Sequence, residues 1–383
     1  MVIAHHLLQR LNPYALPPFG RDVVAFGLTG AAGVAAFFVL SGYLLSGPFW
    51  RQVLADGPMP SLSTYAMRRA ARIAPAFWLA LTASFVLGLT LLHEPLTQFN
   101  LMRYVAGVLF LSGWHWSTLF PVDDNGPLWS IGIEVASYLF LALCMVALFR
   151  TRVGGRRALA LWLALIVMVL GIHWLVVSYW PMDLTNAGWQ YGLLGGAKEW
   201  MPRFSPVSFF AIFAIGVLAG GVRSALTERQ NYLADAAVIL GFALAIAALA
   251  ASMYGLSEGY GLLGIPYRFP WFPIGVATVL AAMPKSRLLG RVAANPVVLF
   301  TARISFGLYL WHFLVLQLMG EFWIAGAGRG GMNDLGQWLL VCVTAIAAST
   351  AIATVSFYVM EQPIIRWARR LEKRPAQRAV AAA

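Results

Sequence analysis

The stretch GVAAFFVLSGYLL, Gly33–Leu45, is apolar almost from end to end, yet it carries two glycines and one serine. A purely structural apolar helix needs neither Ser41 nor Gly42. A membrane helix that approaches a neighbour closely, or lines a polar cavity, uses both. The question is whether the rest of the chain supports a membrane.

It does. Of 383 residues, 60% are of the AVILMFWYC type and only 11% are charged, with a mean hydropathy of +0.73. About a quarter of a soluble globular protein is charged. A chain this apolar cannot cover its own surface with polar groups, so it reads as all-α, a polytopic transmembrane helix bundle. Windows of about 19 residues mark nine spans, near 24–48, 74–92, 127–149, 158–180, 206–222, 233–254, 270–283, 297–320 and 336–360. The seventh is short and begins among Pro266, Pro270 and Pro273. The apolar stretch 101–112 is too short to cross and holds Arg103, so it reads as re-entrant or interfacial. Cys144 and Cys342 lie in apolar runs without metal-ligand spacing and read as small buried hydrophobes. The opening MVIAHHLLQR is too short for the apolar core of a secretory signal.

The formal net charge of +12 is mostly topology. If the nine spans alternate, one side collects Arg51, the loop RTRVGGRR, Arg223, Arg229, Lys285, Arg287, Arg291, Arg303, Arg68, Arg69, Arg72 and the tail EQPIIRWARRLEKRPAQR. That is twenty of the twenty-seven basic residues; Arg10, Arg21, Arg103, Lys198, Arg203, Arg268 and Arg329 fall opposite. The positive-inside rule makes the rich side cytoplasmic, with a cytoplasmic C-terminus, and leaves no case for nucleic acid. Residues 1–365 form one membrane-embedded domain; 366–383 read as a basic cytoplasmic tail, disordered beyond about Arg374. One consequence is odd. The N-terminus then lies outside, with nothing before His5 and His6 to carry them there.

A charge in mid-bilayer costs about 2.5–3.5 kcal/mol on insertion scales, so each exception is informative. PLWSIGIEVASYLF puts Glu134 within a span, with Ser130 four residues before and Tyr138 four after, a polar stripe on one helix face. The bland reading is a polar seam between helices; the functional one is a site facing the bundle interior. In ISFGLYLWHFLVLQ, Tyr309 and Ser305 precede His312 by three and seven residues on its face, and His312 serves either a neighbouring helix or a pocket. His93, His115 and His173 sit near span ends or in loops and read as incidental. In YAMRRAARIAPAFW, Arg68, Arg69 and Arg72 come just before a helix, with Pro75 near its first turn. They are topogenic charge, and arginines at i and i+4 also make a fork suited to phosphate. His5 and His6 in AHHLLQRL are the strongest candidates for proton chemistry, because histidine titrates near pH 6.5.

Five of these stretches, GVAAFFVLSGYLL, RRAARIAPAFW, PLWSIGIEVASYL, ISFGLYLWHF and EQP, occur in an order that resembles the acyltransferase-3 family of integral membrane acyltransferases, over nearly the whole chain. The resemblance implies a fold of about ten membrane helices. It implies an acyltransferase that moves acetyl or other short acyl groups from cytoplasmic acyl-CoA to a hydroxyl of a polysaccharide, lipid-linked glycan or macrolide-type acceptor. No resident cofactor is implied and no metal. It also implies an essential histidine at the end of the first helix, carried over to His5 or His6, with an arginine eleven positions earlier that has no counterpart here. Most of the first helix is then expected to be absent, which resolves the topology puzzle.

Within that reading His5 or His6 is the base and Glu134 orients or balances it. Arg68, Arg69 and Arg72 grip the CoA phosphates. Ser41, Ser130, Tyr309 and His312 line the pocket. Two other classes stay open: a glycan or lipid transporter or flippase with Glu134 and His312 as proton relays, and a non-catalytic membrane scaffold or sensor.

Overall fold

A computed structural model describes residues 1–226, 232–255, 258–290 and 295–381, the last nine by backbone only. Arg229 and Arg291, counted above as topogenic charges, lie outside the described residues. Among the described residues there is no β-strand, only an isolated parallel bridge between Leu11 and Met332. The helices are α1 (Val2–Leu8), α2 (Pro18–Leu28), α3 (Gly33–Leu54), α4 (Leu62–Thr90), α5 (Gln98–Val108), α6 (Trp129–Thr151) and α7 (Gly155–Tyr179). They continue with α8 (Gly192–Trp200), α9 (Pro206–Ala225), α10 (Tyr232–Ala250), α11 (Trp271–Ala282), α12 (Pro296–Phe322), α13 (Leu335–Ser356) and α14 (Gln362–Ala381).

Eight segments among the described residues are long and apolar enough to cross a membrane. The polytopic helical bundle expected from composition is therefore what the chain forms. The expected span at 270–283 is α11, only 12 residues. At 1.5 Å per residue it covers about 18 Å of a hydrocarbon core about 30 Å thick. The expected interfacial piece is α5, 11 residues, capped by Thr97, whose hydroxyl accepts from Asn100 N.

The centre of the bundle is α9, with fourteen buried residues. Ser205 and Ser208 cap it reciprocally, with Pro206 at the first position, where a missing N–H costs nothing. Helix α3 crosses it at backbone distance, and Gly42 is the reason. A Cβ at 42 would lie 2.2 Å from the Phe213 carbonyl oxygen, and one at Gly216 would lie 2.0 Å from that of Val39. Trp50 and Trp162 donate their indole N–H groups to the Val217 and Ala214 carbonyls of α9, at 2.8 and 3.0 Å.

Two local readings are corrected. Helix α4 starts at Leu62, capped by Ser61, whose hydroxyl accepts from Thr64 N at 3.3 Å. Pro75 is therefore inside the helix and not near its first turn, and Arg68, Arg69 and Arg72 are helical residues. The apolar window began late because the first two turns of α4 are polar. Ser305, expected on the His312 face, is exposed and donates to the Ala302 carbonyl, two turns nearer the end of α12. Helix α14 runs to Ala381, through residues read as a tail, and packs against α4.

Candidate functional site

The polar side chains singled out in the sequence gather at three levels along the bundle. At the arginine-rich end is a basin of about 1060 Å³ whose walls come from α4, α12 and α14. Arg68, Arg69, Arg72, Arg303, Arg366 and Arg369 line it. Arg68 and Glu372 meet as a bidentate pair at 2.8 and 2.6 Å. Arg72 donates to Glu361 at 3.3 Å. Among the described residues, Arg69, Arg303, Arg366 and Arg369 have no carboxylate within ion-pair distance. Six guanidinium groups against two carboxylates leave the basin strongly positive.

In mid-bundle, Glu134 is fully buried. Its Oε1 accepts from Ser41 Oγ at 3.1 Å and from Tyr138 Oη in a short bond. Its Oε2 is buried without a partner among the described residues. Tyr65 of α4 donates to the Tyr138 carbonyl at 3.2 Å and ties the two helices together at this level. The stripe continues along α6 to Ser130, whose hydroxyl is 2.7 Å from Tyr309 Oη; Tyr309 donates to the Pro127 carbonyl, also at 2.7 Å. The i, i+4 spacing of Ser130, Glu134 and Tyr138 thus does place all three inside the bundle.

At the arginine-poor end a chamber of about 250 Å³ is lined by His5, His6, Gln9, Tyr309, Glu258 and a wall of aromatic rings. His5 Nδ1 donates to the Leu28 carbonyl at 2.6 Å, and His6 Nδ1 bonds Gln9 Oε1 at 2.8 Å. The Leu28 carbonyl only accepts, so His5 carries its proton on Nδ1 and presents Nε2 as the basic nitrogen. His312 obeys the same logic: Nδ1 faces the Tyr309 carbonyl at 2.8 Å, and Nε2 is buried without a partner among the described residues. The three imidazoles form a row, with centroids 4.9 Å apart for His5–His6 and 5.3 Å for His6–His312.

The expected pairing of Glu134 with His5 is not among the hydrogen bonds: the Leu28 carbonyl orients the imidazole, while Glu134 belongs to Ser41 and Tyr138. The arrangement is a basic basin at one end, a base-bearing chamber at the other, and a line of buried polar groups between them.

Comparison with known proteins gives the family. The profile of the acyltransferase-3 family, described as "Acyltransferase domain", matches residues 1–354. The chain belongs to that family. "Putative O-acetyltransferase SACOL0978" of Staphylococcus aureus (strain COL) is 23% identical over 325 residues, covering 78% of this chain and 48% of the relative. O-acetyltransferase OatA of Staphylococcus aureus (strain NCTC 8325 / PS 47) is 22% identical over 351 residues, covering 88% and 52%. Nodulation protein 10 of Rhizobium leguminosarum bv. viciae is 24% identical over 359 residues, covering 88% and 83%. The chain thus spans about half the length of these Staphylococcus relatives. No solved structure matches it.

Several members of this acyltransferase fold's polar line were not singled out in the sequence. Arg303, Arg366 and Arg369 read there only as topogenic charge; tertiary packing brings them to Arg69. Arg10 read as a loop charge, yet it is 7% exposed and lies over the Phe313 ring at 5.2 Å, beside the row of histidines. His173, read as incidental, is buried and bonds the Leu263 carbonyl at 3.2 Å, a tie from α7 to the loop before α11.

Proposed function

We propose that this protein is a multi-pass O-acyltransferase of the cytoplasmic (inner) membrane, with its C-terminus cytoplasmic. It moves an acyl group, acetyl in the simplest case, from acyl-CoA to a hydroxyl of a glycan, lipid-linked glycan or macrolide-type acceptor. The observation that carries this reading is the line of buried polar groups joining the arginine basin to the histidine chamber. A structural seam needs no basin for a polyanion at one end and no basic nitrogen facing a cavity at the other. The family and the printed names of the relatives support the same chemistry.

In this reading acyl-CoA is a co-substrate. Its phosphates rest on Arg68, Arg69 and Arg72, with Arg303, Arg366 and Arg369 completing the grip from α12 and α14. The thioester arm extends along α6 past Ser41 and Glu134. In the chamber, Nε2 of His5 or His6 takes the proton of the acceptor hydroxyl as its oxygen attacks the thioester carbonyl. The C–O bond forms, the tetrahedral oxyanion collapses, and the C–S bond breaks. The leaving thiolate of CoA takes back the proton from the imidazolium. Ser130 and Tyr309 hold the junction between the levels: Tyr309 donates to the Pro127 carbonyl and accepts from Ser130. Glu134 keeps the bundle polar at mid-depth.

The test is transfer of label from radioactive acetyl-CoA to an acceptor fraction by membranes holding the full chain. Labelled product that disappears in both His5→Ala and His6→Ala, or in one of them, supports the reading. No label transfer to any acceptor fraction, with folded protein, contradicts it.

A further inference from the structure

The chamber holds a carboxylate that the chemistry above does not use. Glu258 lies between α10 and α11, is 5% exposed, and is the single acid among the chamber's described lining residues. A buried carboxylate is costly unless hydrogen-bonded. Its Oε1 accepts from Trp200 Nε1 at 2.8 Å. No hydrogen bond from a described residue reaches its other oxygen.

Both ends of that bond are fixed. Trp200 stacks on Phe204 at 4.1 Å and packs edge-on against Trp189 at 5.0 Å and Trp129 at 5.4 Å. The Glu258 carbonyl accepts from Tyr267 N, and the next one, of Gly259, from Arg268 N, both at 2.6 Å. The result is a rigid carboxylate on an aromatic wall, in the same cavity as His5 and His6. Aromatic faces take the apolar face of a ring, and a carboxylate oxygen takes only hydrogen-bond donors. One hydroxyl on the histidine leaves Glu258 for another.

We propose that Glu258, positioned by Trp200, selects the acceptor: it accepts a hydrogen bond from a second hydroxyl of the molecule being acylated. The chamber therefore favours polyhydroxylated ring acceptors over simple alcohols of like size. This rests on the acyltransferase reading above.

The test uses the purified full chain with methyl β-glucopyranoside and cyclohexanol as probe acceptors. The wild type is expected to prefer the glycoside in kcat/KM. Glu258→Gln should raise the glycoside KM about tenfold or more, the scale of a lost hydrogen bond to a charged group, with kcat within about threefold and cyclohexanol unchanged. Trp200→Phe keeps the ring and removes the N–H; it should show a weaker form of the same defect, and it replaces the first variant if that one does not fold. Tryptophan fluorescence, read without any donor, should be quenched by the glycoside in the wild type and not in Glu258→Gln. Quenching with that dependence but no acyl transfer would leave the binding role standing and sink the acyltransferase reading. A wild type indifferent between the two probes, or variants that keep both preference and quenching, would overturn the proposal.

Discussion

Replacing Gly42 by Ala adds one methyl group at the tightest crossing α3 makes. That Cβ would meet Phe213 O at 2.2 Å and Val217 N at 3.0 Å, both backbone atoms of α9 that no rotamer change can move. Ordinary van der Waals contact begins at 3.4 Å, so the helices must part by about 1.2 Å (3.4 less 2.2). Overpacking of this kind costs typically about 1–3 kcal/mol. At about 2.1 cal/mol/K per residue, unfolding 383 residues carries about 0.8 kcal/mol/K, so the fall in Tm is roughly 1–4 °C. The shift also reaches the site, because Ser41 is the next residue and its bond to Glu134 is 3.1 Å. Moving α3 by about 1 Å breaks that bond, and misplacement on this scale costs up to about 10²-fold in rate. The matched control is Gly47→Ala on the same helix. There the nearest atom is Arg51 Nη1 at 3.7 Å, and the change should be neutral or mildly stabilising. Thermal melts and acyl-transfer rates of both variants, in one detergent, decide the matter. Equal melts and equal rates for the two would refute the backbone-to-backbone crossing of α3 and α9.

Glu134→Gln can keep both donors to its Oε1 and turn its amide toward the unpartnered side. It should therefore fold, yet lose at least about tenfold in transfer rate, about 1.4 kcal/mol of barrier; a wild-type rate would remove Glu134 from the site. Arg69→Ala paired with Arg366→Ala should raise KM for acyl-CoA more than KM for the acceptor in steady-state kinetics, and a reversed topology with donor KM unchanged would reduce these charges to topogenic ones. In the loop between α5 and α6, burial pushes Asp124 up to about 7, with Glu94 and Asp123 adding to the shift. An acid raised on folding favours the fold at low pH and loses that contribution as pH rises through 7. Asp124→Asn should then gain more in melting temperature over wild type at pH 8 than at pH 5; equal differences at both would contradict the shift.

What the sequence carried, and what it did not, follows from range. The α6 stripe was legible because spacings of four are local geometry: they put Ser130, Glu134 and Tyr138 on one face whatever the neighbours are. Gly42 was legible for the same reason, since a glycine in an apolar helix announces close packing. The beginning of α4 was not, because its first turns are polar and a hydropathy window passes over them; the cap at Ser61 was the missed signal. Glu258, Trp200 and the histidines come from three separate parts of the chain, and no local period joins them. The same holds for Arg303, Arg366 and Arg369, whose arrival beside Arg69 depends on how α12 and α14 pack on α4. Glu134 was legible as buried but not as to partner: an acid and an imidazole in two spans suggest a pair, and only the packing assigns the acid to Ser41 and Tyr138.

The central claim is that the donor is held at the arginine-rich face and the acceptor is acylated at the other. Sealed vesicles of defined orientation test it most directly. Acetyl-CoA cannot cross a bilayer, so labelled donor is supplied outside inverted vesicles, where the arginine-rich face is exposed, and outside right-side-out vesicles. The account predicts labelled acceptor, trapped in the lumen, from inverted vesicles alone, lost in the histidine variants. Equal labelling from right-side-out vesicles, or acceptor acylated on the same side as the donor, would contradict it.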